Sequence, residues 1–300
     1  MKTFVVVNGT AGAGRALRLW PRVKDELASI RPFDFGVTGR AGHAVELARD
    51  AARGGYGLVV AFGGDGTVFE TANGLMREDR ALATLGVIPA GSGNDIARTL
   101  GIPREPAAAC ELLRDPTPRH VDMFRVNDRY VVGTGGVGFD AEVAALANRW
   151  PKYLPGTITY VLAIFARLAT FSPVEVELTL DGQTQRTRVL LVAVGNTQYY
   201  GGGMRVCPQA RVDDGLLEVI VAGPLSKAQT IRLLPTIFSG RHILHPLVTC
   251  YRAREVTISS AVPLSIQTDG EVVGQLPVTF RVLPGALPVV AGEPLSPMEL

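Results

Sequence analysis

Short apolar, β-rich runs alternate with helical patterns through the N-terminal part of the chain: 4–7 then 15–30, 33–37 then 41–53, 58–62 then 67–76, and 85–89 then 94–100. Repeated strand–helix units imply a parallel sheet with helices on its faces. After Pro116 and Pro118 the pattern changes to alternating strands, at 174–180, 187–194, 216–221, 255–259 and 278–282. Three helical stretches interrupt them, at 141–149, 157–170 and 226–238. This predicts a mostly antiparallel, β-rich second domain of sandwich type. A length of 300 residues suits two cores rather than one. We expect an α/β domain over 1–120 and a β-rich domain over 121–286. The Pro- and Gly-rich end, 284–300, is either a loose tail or a strand returning to the first domain, which 287–300 would then complete.

In a parallel sheet, ligands collect where strands end and helices begin. Three such ends carry glycine-rich turns. The strongest is Gly63-Gly64-Asp65-Gly66-Thr67, between an apolar strand and a helix. Glycines allow close backbone approach, and a helix N-terminus offers free N–H groups, so the segment reads as a phosphate cradle. Asp65 inside it would repel phosphate unless a cation or a proton-transfer role accounts for it. The plainer reading is a tight turn with Asp65 near an N-cap. Pro89-Ala90-Gly91-Ser92-Gly93-Asn94-Asp95 repeats the arrangement: Ser92 can donate to phosphate, and Asn94 or Asp95 can cap the next helix. The first of the three along the chain is Asn8-Gly9-Thr10-Ala11-Gly12-Ala13-Gly14. It is neither a P-loop nor a complete G-x-G-x-x-G.

Composition narrows the setting. A hydrophobic fraction of 47% with 19% charged residues describes a globular chain. Thirty basic against 28 acidic residues leave a formal charge of +2, which gives no overall field for a nucleic-acid partner. Three cysteines lack C-x-x-C spacing and four histidines are scattered, which predicts a reducing compartment and no zinc site. The apolar run before Asn8 is too short for a signal-peptide core. The apolar helix candidate 157–171 is too short for a span and carries Arg167. We therefore expect a cytoplasmic protein that touches a membrane surface at most.

The pair GGDGT at 63–67 and GSGND at 91–95 resembles the diacylglycerol kinase catalytic fold of bacterial soluble lipid kinases and sphingosine kinases. That fold is related through GGDGT to NAD kinases and phosphofructokinases. The likeness continues in family order through Gly138-Phe139-Asp140-Ala141-Glu142, Gly201-Gly202-Gly203-Met204 with Pro208, Asp213-Asp214-Gly215-Leu216-Leu217-Glu218 and Asp269-Gly270-Glu271. It covers essentially the whole chain. The resemblance implies a lipid kinase that moves the γ-phosphate of Mg·ATP to a diacylglycerol-like, phosphatidylglycerol-like or sphingoid hydroxyl. An NAD kinase-like enzyme, or an ATP-binding regulator without transfer, is the alternative.

Carried over by position, the nucleotide contacts fall on Asn8, Gly9, Thr10, Ala11, Gly12, Thr38, Gly64, Asp65, Gly66, Thr67, Val68, Phe69, Glu70 and Ser92. A magnesium site would use the Asp214 carboxylate and the carbonyls of Arg211 and Leu216, oxygen ligands that suit a hard cation. The proton acceptor corresponds to Glu271, with Asp65 the second candidate. The partner is a lipid met at a membrane surface, with its chains against apolar surface of the second domain, which 157–171 or 226–238 would line; a homodimer is compatible with this. Two departures stand out: the usual Asn-Pro is Asn8-Gly9, and Glu218 replaces the more common Asp. From the residues alone, Asp269-Gly270 is also a hairpin turn with Glu271 on its flank, Asp213-Asp214-Gly215 is also a turn, and both helices are also ordinary core-facing helices.

Overall fold

In the computed structural model, which describes residues 1–150 and 156–298, the chain divides into two compact units. One comprises Met1–Met123 with Leu283–Leu295, the other Phe124–Val282 with Ser296–Leu300. The C-terminal end is held in both: Leu295 donates its N–H to the Thr99 carbonyl in the first unit, and Met298 donates to the Pro208 carbonyl in the second. Residues 299 and 300 of the expected tail lie outside the described residues, as do 151–155.

The first unit is a parallel sheet in the spatial order Asp34–Val37, Thr3–Val7, Leu58–Gly63, Thr84–Pro89, with the end of Val278–Val290 pairing at Val289 with Leu85. Leu58–Gly63 is buried along its whole length, as expected of a strand covered on both faces. The helices Ala11–Ile30, His43–Arg53 and Asp65–Leu75 follow the first three strands in sequence. The chain leaves Thr3–Val7 toward one side of the sheet and Leu58–Gly63 toward the other. The carboxyl ends of these neighbours therefore form a topological switch point, where open α/β sheets hold their ligands.

The second unit holds a fully antiparallel sheet in the order Val248–Ala253, Leu217–Ala222, Leu191–Gly195, Thr134–Gly138, Ser265–Thr268, Glu271–Gln275. A further antiparallel set runs Gln183–Val189, Val174–Leu180, Glu255–Ser259 and the start of Val278–Val290. Gly135 of the former set lies against Phe280 of the latter, where an added Cβ would come within 2.6 Å of the ring. Helices Phe139–Arg149, Gly156–Leu168 and Lys227–Ile237 pack on this unit around a core that includes Phe139, Val143, Ile164, Met204, Ile220 and Leu234. Among the described residues no helix is long and apolar enough to cross a membrane.

Two local expectations change. The helix expected at 67–76 begins at Asp65, so Asp65 occupies its first turn instead of the loop before it. Neither Asn94 nor Asp95 caps the next helix, Asp95–Thr99. Asn94 takes a left-handed backbone at φ 55°, whereas an N-cap side chain works from extended backbone. Its amide instead closes on Gly91, accepting from the Gly91 N–H and donating to the Gly91 carbonyl, both at 2.9 Å.

Candidate active site

The three glycine turns of the first unit form one cluster. Asn8 donates from Nδ2 to Thr67 Oγ1 at 2.9 Å, tying the first turn to the second. Asn8 Oδ1 in turn accepts from the Thr10 N–H and hydroxyl. Gly12, at φ +59°, packs against the third turn so closely that a Cβ would lie 2.5 Å from the Ala90 carbonyl oxygen. A Cβ on Gly91 would stand 2.4 Å from the Gly64 Cα. Side chains are excluded at these contacts, so the glycines serve backbone-to-backbone packing as well as any ligand. Beyond them the surface opens: Gly66 and Ser92 are exposed, and nothing lies within 4 Å of the space a Gly66 Cβ would occupy.

Asp65 is the acid of this cluster. Its Oδ1 accepts the Ile96 N–H at 3.0 Å, joining the first turn of its helix to the start of the next. Burial, with the charge of Asp95 as the second cause, pushes the Asp65 carboxyl up to about 6, against the pull of main-chain N–H groups at 94–96. Asp95 is buried and pairs with Arg98 at 3.3 Å. Two carboxylates held close favour an added proton or a further cation.

The other expected nucleotide contacts divide by what their side chains do. Val68 and Phe69 are buried in the core, leaving only main chain for a ligand. Both Glu70 oxygens are engaged: Oε1 accepts from Gly42 N–H at 2.9 Å and Oε2 from Ala44 N–H at 3.2 Å, so this carboxylate caps the His43–Arg53 helix. Thr38 follows the second strand and donates its N–H to the Val7 carbonyl, which keeps it beside the first turn. Gly9, Thr10 and Ala11 lie on the first turn and the start of its helix, with Thr10 exposed.

In the second unit, Asp269 and Gly270 form a two-residue hairpin turn with φ 46° and 85°, the left-handed pair such turns require. The turn is also anchored. Asp269 Oδ1 accepts the Thr134 N–H at 2.8 Å, and Gln267 receives the Gly270 N–H on Oε1 while donating from Nε2 to the buried Asp140 at 2.7 Å. Glu271 projects from this fixed turn, with 58% of its side chain exposed, and pairs with Arg129 at 3.2 Å. A solvated flank and an accessible carboxylate on a rigid mount are thus the same residue.

Asp214 sits on the turn expected for it. Its Oδ1 accepts the Leu216 N–H at 3.1 Å, and its Oδ2 is held by Arg252. Arg211 is exposed and Leu216 half-buried. Among the described residues no cluster of three His, Cys, Asp or Glu side chains could hold a metal ion. Glu218, two residues on, is buried; one oxygen accepts the Gln209 N–H at 2.8 Å, and burial pushes its carboxyl up to about 7.

One further feature is foreshadowed in the sequence only by two of its walls. The second unit holds an apolar cavity that is partly open to solvent. Its walls include Phe139, Ile164, Met204, Leu234 and Val248, with His242 among them. Ile164 comes from Gly156–Leu168, while Leu233, Leu234 and Ile237 come from Lys227–Ile237, so both helices proposed to meet lipid reach it. The remaining walls come from the helix Phe139–Arg149, from strands and loops, and from the short helix Arg241–Leu244, which no periodicity marks.

Known proteins resemble this arrangement along its whole length. The diacylglycerol kinase catalytic domain matches residues 2–126, and the YegS C-terminal NAD kinase beta sandwich-like domain matches 133–291. A protein named "Diacylglycerol kinase" from Mycobacterium tuberculosis (strain ATCC 25618 / H37Rv) is 35% identical over 263 residues, covering 85% of this chain and 83% of its own. A "Probable lipid kinase YegS-like" from Pseudomonas aeruginosa (strain PAO1) is 34% identical over 297 residues, covering 98% and 96%. A crystal structure of a diacylglycerol kinase from Bacillus anthracis str. Sterne superimposes with a TM-score of 0.75 at 25% identity, covering 97% of each chain. With both domain models matched in order and relatives aligned over most of their length, the chain belongs to the diacylglycerol kinase family of ATP-dependent lipid kinases.

Proposed function

We propose that this protein transfers the γ-phosphate of Mg·ATP to the hydroxyl of a diacylglycerol-like, phosphatidylglycerol-like or sphingoid lipid. The observation that carries the lipid acceptor is the cavity: its aliphatic and aromatic walls suit an acyl chain and not a dinucleotide, which needs polar partners along its length. The glycine turns at the switch point support the nucleotide half of the reading. The bed for the phosphates is the main chain of Gly64–Thr67 with the Ser92 hydroxyl, and Asn8, Thr10 and Gly12 hold the first turn against it. Val68, Phe69 and Glu70 act by shaping this bed from below.

The chemistry is in-line displacement with little covalent work for the protein. The lipid oxygen bonds to the γ-phosphorus, the bond to the β-bridging oxygen breaks, and ADP carries away the electron pair. Glu271, fixed on its anchored turn, takes the hydroxyl proton, and Asp65 is the second candidate for that role. Mg²⁺ accompanying ATP offsets phosphate charge. The donor set expected for magnesium, Asp214 with the Arg211 and Leu216 carbonyls, suits a hard cation, but only if Arg252 gives up its oxygen. Asp214→Ala is accordingly expected to raise the Mg²⁺ concentration for half-maximal activity several-fold. An unchanged Mg²⁺ dependence would leave Asp213-Asp214-Gly215 as a turn pinned by Arg252.

The lipid reading is tested by filling the cavity. Leu234→Trp adds bulk to its wall and is expected to lower kcat/KM for long-chain diacylglycerol at least tenfold, since each buried methylene is worth about 0.8 kcal/mol. Short-chain analogues should lose much less. Equal losses for all chain lengths, in a protein that still melts cooperatively, would remove the cavity from substrate binding.

A further inference from the structure

Glu271 opens an edge strand that has little packing to hold it. None of the residues of Glu271–Gln275 is fully buried, and the strand pairs with Ser265–Thr268 at the rim of its sheet. The register is itself broken: Ile266 faces Gly274 and Gln267 faces Val272, which leaves Val273 unmatched. Such a bulge bends a strand and re-aims its side chains, so strand pairing alone leaves Glu271 loosely aimed. Gln267, on the inner strand, supplies a firmer hold. It is fully buried, accepts the Gly270 N–H on Oε1 at 2.9 Å and donates from Nε2 to Asp140 Oδ2 at 2.7 Å. The direction of this amide is dictated by its partners. A main-chain N–H only donates and a carboxylate only accepts, so an amide turned the other way would set N–H against N–H and oxygen against oxygen. Asp140, buried in the first turn of Phe139–Arg149, thus selects the orientation that leaves Oε1 for Gly270, the residue before Glu271. The neighbouring strand makes room for the bridge: a Cβ on Gly136 would lie 2.3 Å from Asp140 Oδ2 and 3.1 Å from Gln267 Nε2. The hairpin as such does not need it, since Asp269-Gly270 forms the left-handed pair on residue type alone.

We infer that Gln267 is a positioning residue for phosphoryl transfer: clamped by Asp140, its amide fixes the main chain at Gly270 and thereby holds the Glu271 carboxylate where it meets the acceptor hydroxyl. The inference rests on the proposal that Glu271 takes the hydroxyl proton. It adds the two buried side chains through which the fold keeps that carboxylate in place. Asp269 is tied to the Thr134 N–H, but the peptide that leads into Glu271 is held through Gly270. Neither Gln267 nor Asp140 is assigned contact with the reacting atoms. Their contribution is geometric, and a reacting group misplaced by about 1 Å can cost about a hundredfold in rate.

The test measures kcat and the KM for ATP in the full-length enzyme, with Mg·ATP and diacylglycerol in mixed micelles. Gln267→Leu keeps the bulk, removes both bonds, and is expected to lower kcat about ten- to a hundredfold with KM for ATP changed by less than about twofold. In the Glu271→Gln background the same change should cost less than about twofold further, because a residue that acts through Glu271 then has nothing left to position. A merely structural role would repeat the full loss in that background, and that result would overturn the inference. An exchange of bond polarity serves if Gln267→Leu does not fold. Gln267→Glu sets two carboxylates face to face, and Asp140→Asn frees the Gln267 amide to turn, so each alone should lower kcat. Together they restore both bonds, the new carboxylate accepting from Gly270 and from the new amide at position 140, and kcat should return to within about threefold of wild type. A double variant as slow as Gln267→Glu alone would overturn the inference. Failure of the underlying reading looks different: Glu271→Gln would leave kcat unchanged, which removes the proton acceptor and its positioning residue together.

Discussion

Asp65→Asn is expected to reduce kcat by about a thousandfold or more while leaving the protein as stable as the wild type, or more so, at pH 8. The carboxylate stands in the middle of the glycine cluster, bonded to the Ile96 N–H and beside Asp95. Asparagine keeps the size and can still accept that N–H, so the packing of the turns survives. What it removes is the negative charge that the proposed role near a phosphate-bound cation or a reacting proton requires. The stability sign follows from the same environment. The folded-state value of about 6 is raised above the unfolded one, so the folded protein binds the extra proton between the two values. Stability linked to Asp65 is therefore full at low pH and lost as pH rises through about 6, and the neutral asparagine escapes that loss. Activity runs the other way: if the ionised form is required, the free enzyme's kcat/KM should fall as pH drops below about 6, and bound Mg²⁺ should move that limb to lower pH. Thermal midpoints and pH–rate profiles measured together decide the matter. A folded Asp65→Asn enzyme with wild-type turnover would sink the role.

Glu271→Gln should lower kcat by roughly 10²–10⁴-fold with little change in the ATP concentration for half-maximal rate, the signature of a lost proton acceptor. The change is isosteric and falls on an exposed side chain, and the turn beneath it is held by Asp269 and Gln267 rather than by Glu271. The ion pair with Arg129 lies near the surface, where such pairs contribute little to stability, so folding should be unaffected. Arg129→Ala is the useful companion. If Arg129 only steadies Glu271, its removal should cost far less than removal of the carboxylate. A loss confined to KM for ATP would instead make Glu271 a nucleotide contact.

The strand–helix alternation of the first unit was legible because Thr3–Val7, Leu58–Gly63 and Thr84–Pro89 are largely buried and read as apolar runs, whereas the edge strand Asp34–Val37 is mostly exposed. The strand Thr134–Gly138 was not legible, since TGGVG has the composition of a loop. Its glycines answer to tertiary neighbours: Gly135 to Phe280 and Gly136 to the Asp140 carboxylate, which an added Cβ would approach to 2.3 Å. The short helix Pro106–Leu112 was hidden by reading the nearby prolines as a boundary. Asn94 misled for a local reason, because its residue type favours capping while its left-handed backbone sends the amide to Gly91.

At the candidate site, the motifs located the three turns, but the bonds among them came only from the fold. That Glu70 caps a helix, that Arg252 holds Asp214 and that Arg129 pairs with Glu271 depend on residues 26 to 142 positions apart. The cavity was least legible of all. Its walls are assembled from several helices and strands, each of which reads in isolation as an ordinary core element.

The central claim is most directly tested by the identity of the phosphorylated product. Purified protein would be given γ-labelled Mg·ATP with diacylglycerol in mixed micelles and, separately, with NAD, and label in each acceptor would be followed over time. The account predicts label in the lipid hydroxyl and none in NAD. Label appearing in NADP faster than in any lipid product would contradict it.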